Sequence, residues 1–279
     1  MLTDLHVHLR PDDLEASADR HFTVENVEGY TEVASERGID VLGVSEHVHR
    51  FREALDIWRH PFWIDNAVDD LGAYCDFVRA ETDLRLGIEA DFVPGREDRI
   101  ANLLEGGDWD FVLGSVHFLG DAAVDMGGEW DVWRTGADPD KVWARYFETL
   151  GEAARSGLFD VLSHPDLVKV WGPERPRPAR DPRFHYELAM DGIGESDVAI
   201  EVSTAGLRKA AREIYPSPDF LIMCLEARRP VALSSDAHTP NDLGYRYEEA
   251  VELLGTLGVR EIVDLERRER RLVPLGWES

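Results

Sequence analysis

The chain has 279 residues, enough to bury a substantial core, and carries 56 acidic against 30 basic side chains for a net charge of −26. So acidic a surface repels phosphate backbones, and the arginine blocks near Arg228 and Arg268 are too short for a basic channel, so no nucleic-acid partner is expected. No stretch is apolar enough to span a bilayer and no signal peptide precedes the first strand; Cys75 and Cys224, both in predicted helices, fit free thiols of a reducing compartment, so a cytoplasmic protein is expected.

The elements alternate strand and helix along the chain. A first strand, Thr3–Val7, leads into a loop with Pro11 and Asp12, and a helical pattern over 26–38 ends at Gly38. Strand two spans Asp40–Ser45, a loop with Trp58, Pro61 and Trp63 follows, and a helix is expected over 65–81. Strand three is Leu84–Ala90, a short helix lies within 96–107, and strand four is Asp110–Val116. The Gly- and Asp-rich stretch 120–138 reads as a long loop on the face of the site, with Trp130 and Trp133 in it. A helix over 139–157 precedes strand five, Phe159–Ser163. The proline-rich segment 171–182 must be an irregular loop. Strand six (Val198–Ser203), strand seven (Val231–Ser235), their helices and a last helix over 241–257 complete the alternation, with RRERRLVPL left as a terminal strand or tail. Seven apolar strands joined by helices predict parallel pairing in a single α/β domain over 1–279.

Six of the seven strands carry potential metal ligands at or near their C-terminal ends: His6 and His8, His47, Glu89, His117, His164, and Asp236 with His238. One such run means little, but six imply a site where the strands converge, as at the C-terminal face of a (β/α) barrel. Strand alternation puts both imidazoles of His6-Val7-His8 on one face, and Asp236-Ala237-His238 has the same spacing on the last strand. Glu89 is costly on an apolar strand unless paired, and one carboxylate can bridge two ions. His21, in the loop after strand one, can reach back to the site, whereas His49 lies further into its loop than His47. His60 and His185 read as structural or surface residues. Nine potential ligands are too many for one ion and suit two or three divalent ions, whether zinc, iron or manganese. Two cations can acidify a shared water and stabilise the oxygens of a phosphoryl group in an in-line displacement. A phosphate monoester also needs fixed positive charge; Arg208 in STAGLRK and Lys169 in HPDLVKV are the expected phosphate-binding residues, and Arg10 directly follows HVHL. Asp236, or a ligating histidine such as His238, is the expected proton carrier for the departing alkoxide.

Taken together, DLHVHL, SEHVH, GIEADFVPG, GSVHFLG, SHPDLVK, STAGLRK and SSDAH, in this order over nearly the whole chain, resemble the polymerase-and-histidinol-phosphatase (PHP) superfamily. The resemblance implies a distorted seven-stranded (β/α)7 barrel with a trinuclear metal site. GIEADFVPG, GSVHFLG and STAGLRK are most similar to the histidinol-phosphate phosphatase branch, which implies hydrolysis of L-histidinol phosphate in histidine biosynthesis. It would put His6, His8, Glu89 and Asp236 on one ion, with Glu89 bridging to a second held by His117 and His164. His21, His47 and His238 would hold a third, and Arg208 and Lys169 the phosphate. The chain departs from the family pattern at Ser45-Glu46-His47, at Ser163-His164-Pro165 and in the long segment before His21. Competing readings are a PHP hydrolase of nucleotides, oligonucleotides or phosphotyrosine, an amidohydrolase, and a non-catalytic metal-binding protein. No strand here ends in the lysine that amidohydrolases commonly use as a metal bridge. The sequence sets no oligomeric state; a homo-oligomer is compatible with it.

Overall fold

The computed structural model describes residues 1–12, 16–134 and 136–276. Seven parallel strands form one sheet in sequential order: β1 (Thr3–Asp4), β2 (Val41–His47), β3 (Arg85–Asp91), β4 (Phe111–Ser115), β5 (Val161–Leu162), β6 (Ala199–Ser203) and β7 (Val231–Ser234). The sheet curls until its edges meet. Beyond the ends of β1 and β7, Val7 and Ala237 form a parallel bridge, with His8 N donating to Ala237 O at 2.8 Å and Ala237 N to His6 O at 3.1 Å. Sequence could not show whether seven strands close; this bridge is the closure.

The strands are buried on both faces because helices cover the outside. These are α1 (Val24–Arg37), α2 (Leu71–Glu81), α3 (Glu97–Glu105), α4 (Pro139–Arg155), α5 (Pro182–Glu195), α6 (Pro218–Glu226) and α7 (Tyr247–Thr256). Local chemistry sets their ends. The Thr23 hydroxyl accepts from Asn26 N at the start of α1, and Gly38 takes the left-handed conformation at its end (φ 66°). Prolines open α4, α5 and α6, where their missing N–H costs nothing. Helices α4 and α5 touch backbone to backbone: a Cβ on Gly192 would lie 2.0 Å from Gly151 O, so only glycine fits.

Inside the barrel a separate apolar cluster is built from Leu5, Phe111, Leu113, Val161, Ala199 and Ala232. The Phe111 ring fills the space that side chains at position 87 would need, since a Cβ on Gly87 would come within 2.2 Å of it. The cluster is finished by Val263 and Leu265 from an antiparallel hairpin, β8 (Glu261–Glu266) and β9 (Glu269–Pro274). The RRERRLVPL tail is therefore half of a hairpin that plugs the end of the barrel away from the site. Its partner strand, EIVDLE, had not been expected; its alternating charges mask a strand whose Ile262, Val263 and Leu265 are buried.

Two expected helices are shorter than their patterns. The 65–81 helix is two elements, Pro61–Asn66 and α2, because Asp70 caps a fresh start by accepting from Ala73 N. The 241–257 helix begins only at Tyr247, after Arg246 at φ 53°. No helix among the described residues is long and apolar enough to cross a membrane.

Candidate metal centre

The ends of β1, β2, β3, β4, β5 and β7 deliver His6, His8, His47, Glu89, His117, His164, Asp236 and His238 to one place at the C-terminal mouth of the barrel. His6 and His8 are fully buried, and Glu89 is 1% exposed. Three groups of donor atoms close enough to share an ion are His6–His8–Asp236, His6–Glu89–His164 and His8–His47–His238.

The distances match what a divalent ion needs. Ligand bonds of about 2.0–2.2 Å in a tetrahedron put the donors roughly 3.3–3.6 Å apart. His6 Nε2 lies 3.4 Å from Glu89 Oε2 and 3.6 Å from Asp236 Oδ1, and His8 Nε2 lies 3.5 Å from each. His6 Nε2, His8 Nε2 and Glu89 Oε2 are all buried without a hydrogen-bond partner. Native interiors rarely leave such atoms orphaned, so the donors fit a cation at the point they surround. The other carboxylate oxygen of the same glutamate, Oε1, lies 2.9 Å from His164 Nε2 and 3.5 Å from His117 Nε2. Glu89 thus faces two donor groups at once.

Charge states follow the same logic. Burial alone would raise the Glu89 pKa, but the neighbouring His47, His6 and His117 hold it well below the ordinary carboxylate range. Asp236 behaves likewise, burial being outweighed chiefly by His6 and His8. Burial, with His47 and His238 nearby, pushes His8 well down, so it stays neutral as a ligand must. The strain of the site is in its backbone: His164 and Asp236 have φ of 28° and 51°, unfavourable for residues with a Cβ.

Supporting residues orient the ligands, and three of them had not been singled out. Glu201, on β6, accepts from His6 Nδ1 at 2.8 Å, from Ser234 Oγ at 2.6 Å and from His164 N at 2.5 Å. It turns His6 Nε2 into the cluster, as carboxylates do behind ligating histidines. Asp91 does the same for His117, with Oδ1 2.7 Å from Nδ1. Asp91 was legible as an acid inside an apolar strand run, on the face of Glu89 by alternation. The third is Asp12. Its Oδ2 lies 3.1 Å from His238 Nε2 and its Oδ1 3.8 Å from His47 Nε2, and these two imidazole nitrogens are 3.4 Å apart. Arg50 holds Asp12 at 2.5 Å and also bonds Glu46. Glu46, in turn, accepts from Leu9 N at 2.7 Å and Arg10 N at 3.2 Å, so the unusual Ser45-Glu46-His47 fixes the chain just after the two first-strand histidines.

Other expected site residues lie elsewhere. His21 sits in a short helix, Ala18–His21, with Nδ1 2.9 Å from Ser17 O, and no described contact joins it to the cluster. Lys169 Nζ is engaged by Asp166 at 2.9 Å, Glu213 at 3.2 Å and Ile214 O at 2.9 Å, and it lines a smaller cavity beside the site. Arg208 Nη2 donates to Ser235 O at 3.0 Å and Asp236 O at 2.8 Å, so its guanidinium braces the loop carrying Asp236; its Nη1 is buried and unpartnered. Arg10 is paired with Asp69 on the cavity wall. His49 is buried, stacks on His47 at 4.9 Å and lines the cavity. His60 packs against Trp58, Phe118 and Trp130, and His185 pairs with Asp140 at 3.1 Å; both are structural.

Above the cluster opens a cavity of about 920 Å³. Its walls include Phe62, Met126, Trp130 and Trp171, with Lys209 as a cation that sequence reading passed over. The 120–138 stretch and the proline-rich segment meet here, as Trp171 Nε1 donates to Val124 O at 2.8 Å.

Residues 15–205 match the model of the PHP domain. The chain belongs to the PHP family. It is 33% identical over 247 residues to a Deinococcus radiodurans protein named "Probable histidinol-phosphatase", the match covering 88% of this chain and 91% of that one. It is 23% identical over 252 residues to the "Histidinol-phosphatase" of Bacillus subtilis, covering 83% and 94% of the two chains. The crystal structure of histidinol phosphate phosphatase from Lactococcus lactis, complexed with zinc, L-histidinol and phosphate, superimposes with a TM-score of 0.70 at 16% identity over 97% of this chain and 98% of that one. That likeness shows the fold: an α/β, TIM-like PHP barrel of seven parallel strands.

Proposed function

We propose that this chain is a metal-dependent histidinol-phosphatase, hydrolysing L-histidinol phosphate to L-histidinol and phosphate in histidine biosynthesis. The observation that carries the chemistry is the orphaned donor set His6, His8, Glu89 and Asp236, spaced for a cation at the floor of an open cavity. The substrate follows from the relative that is 33% identical over almost its whole length.

His6, His8, Glu89 and Asp236 would hold one ion, and Glu89 with His117 and His164 a second. His47, His238 and Asp12 would hold a third, with Asp12 standing where His21 had been expected. Zinc, iron and manganese all suit these ligands. Bound ions would supply Lewis-acid stabilisation of phosphoryl charge and an acidified water. Arg208 keeps Asp236 in place and would turn its unpartnered Nη1 to a phosphate oxygen, and Lys209 adds positive charge on the wall. Asp236 or the ligating His238, both on the cavity wall, would carry a proton for the departing alkoxide.

Phosphate release from L-histidinol phosphate, measured beside p-nitrophenyl phosphate, AMP and a short oligonucleotide, tests the substrate. A kcat/KM for histidinol phosphate far above the rest is expected; equal, weak turnover of every monoester removes the substrate assignment, and preference for the oligonucleotide replaces it. A second measurement tests the third ion. Asp12→Ala should lower metal content, read by elemental analysis, by about one ion per chain, because ligands set affinity directly. His21→Ala should leave the content unchanged, and the opposite pattern would return His21 to the ligand set.

A further inference from the structure

One buried carboxylate stands behind the metal centre and takes no direct part in it. Asp4, on β1, is fully buried, belongs to none of the three donor groups and does not line the cavity. A carboxylate cut off from water must be met by donors, and here four backbone and side-chain groups meet it. Ser235 supplies two, Oγ to Oδ2 at 2.5 Å and N to Oδ1 at 3.1 Å. Gly244 N adds a third, to Oδ2 at 3.3 Å, and His6 N a fourth, to Oδ1 at 3.4 Å.

The donors are not scattered. Ser235 directly precedes Asp236, and Gly244 closes the segment that follows His238, so one carboxylate grips both ends of the stretch carrying these two residues. The same carboxylate holds the backbone of His6, on the first strand. The grip also meets a local need. Asp236 has φ 51°, a conformation that surrounding contacts must impose on a residue with a Cβ. Asp4 takes the N–H just before it, and Arg208 takes the carbonyls of Ser235 and Asp236 at 3.0 and 2.8 Å. Arg208 can also turn to a phosphate, whereas Asp4, outside the cavity, can act only through the backbone it holds.

We propose that Asp4 is a positioning residue for the metal centre: by holding Ser235 and Gly244 it brings Asp236 and His238 against His6 and His8 where the first and last strands meet, and so sets the affinity for metal there. This rests on the reading of the donor set as a metal site. Groups that orient ligands without touching the ion typically govern metal affinity by about 10–100-fold.

Zinc titration of the chelator-stripped protein tests this. Asp4→Asn, which keeps shape and removes charge, should bind at least one equivalent of zinc about 10–100-fold more weakly than the wild type. Ser235→Ala, which deletes one hydroxyl, should weaken it about tenfold, and the double variant should be no worse than Asp4→Asn alone, because the two residues act through one contact. Asp110→Asn is the control. Asp110 is also a buried carboxylate, accepting from Arg79 Nη1 at 2.7 Å and Leu86 N at 2.8 Å at the other end of the barrel. It should lower the melting temperature and leave zinc binding as in the wild type. Unchanged zinc binding in Asp4→Asn overturns the assignment, as do an equal loss in Asp110→Asn or additive losses in the double variant. Should Asp4→Asn not fold, Ser235→Ala decides, and wild-type affinity in that variant overturns the assignment. A wild-type chain that takes up no zinc removes the metal-site reading itself, a result distinct from all of these.

Discussion

Glu89→Gln is expected to lower kcat by about 10³-fold or more, because the carboxylate proposed to bridge two ions faces two donor groups, and several kcal/mol of charge stabilisation would pass through them. Glutamine has the same shape, but its amide nitrogen cannot ligate, so one of the two groups loses a donor whichever way the side chain turns. The substitution also removes the negative charge that faces His6, His8, His47, His117 and His164 within 3.5 Å. Metal content should fall together with turnover. Elemental analysis beside single-turnover kinetics at saturating metal checks this; a variant that keeps its metal and turns over within tenfold of wild type, a loss of only about 1.4 kcal/mol, would contradict the bridging role.

Stripping the metal from the whole enzyme is the second large effect. A strong chelator is expected to abolish activity and to lower the melting temperature by roughly 10 °C. Ligand binding at 100 to 1,000 times its dissociation constant stabilises by about 3–4 kcal/mol, and each kcal/mol moves a chain of this size by about 2–4 °C. The physical source is the set of buried donors that have no partner of their own. Calorimetry with and without chelator, followed by return of zinc or manganese, measures it. If the midpoint stayed put while the metal left, the imidazoles and carboxylates would be satisfying one another, and the orphaned atoms would have been misread.

Much of the barrel was legible because its strands end abruptly. Apolar runs that stop at histidine, glutamate or aspartate on six successive strands point to one shared barrel mouth, and all eight of those strand-end residues do converge there. Features that depend on where side chains point across long separations were not legible. Lys169 follows a ligand strand by only a few residues, yet Asp166 and Glu213 draw it sideways into another cavity. His21 looked like the natural third-group histidine, but the chain turns into a helix at Ala18, and Asp12, an unremarkable acid in an acidic loop, is the group that Arg50 aims at His47 and His238. Glu201 was hidden for the opposite reason: its strand seemed to end without a ligand, and the carboxylate works one layer back. The first strand of the last hairpin was not legible because its alternating charged residues break the apolar pattern that its inner face obeys.

The barrel's seam has a consequence for the rate at which the protein comes apart. Strands β1 and β7 meet through the bridge between Val7 and Ala237 and through Ser235, whose N and Oγ donate to the Asp4 carboxylate, and the proposed ligands His6, His8, Asp236 and His238 flank that bridge. An ion held there would be a rivet across the junction of the first and last strands, closing a loop of almost the entire chain. Contacts so distant in sequence form late, after most of the barrel has assembled. A rivet set after the folding transition state leaves the folding rate nearly untouched and slows unfolding instead. The metal would then act on the protein's lifetime, holding shut a cylinder whose seam runs beside its own active site.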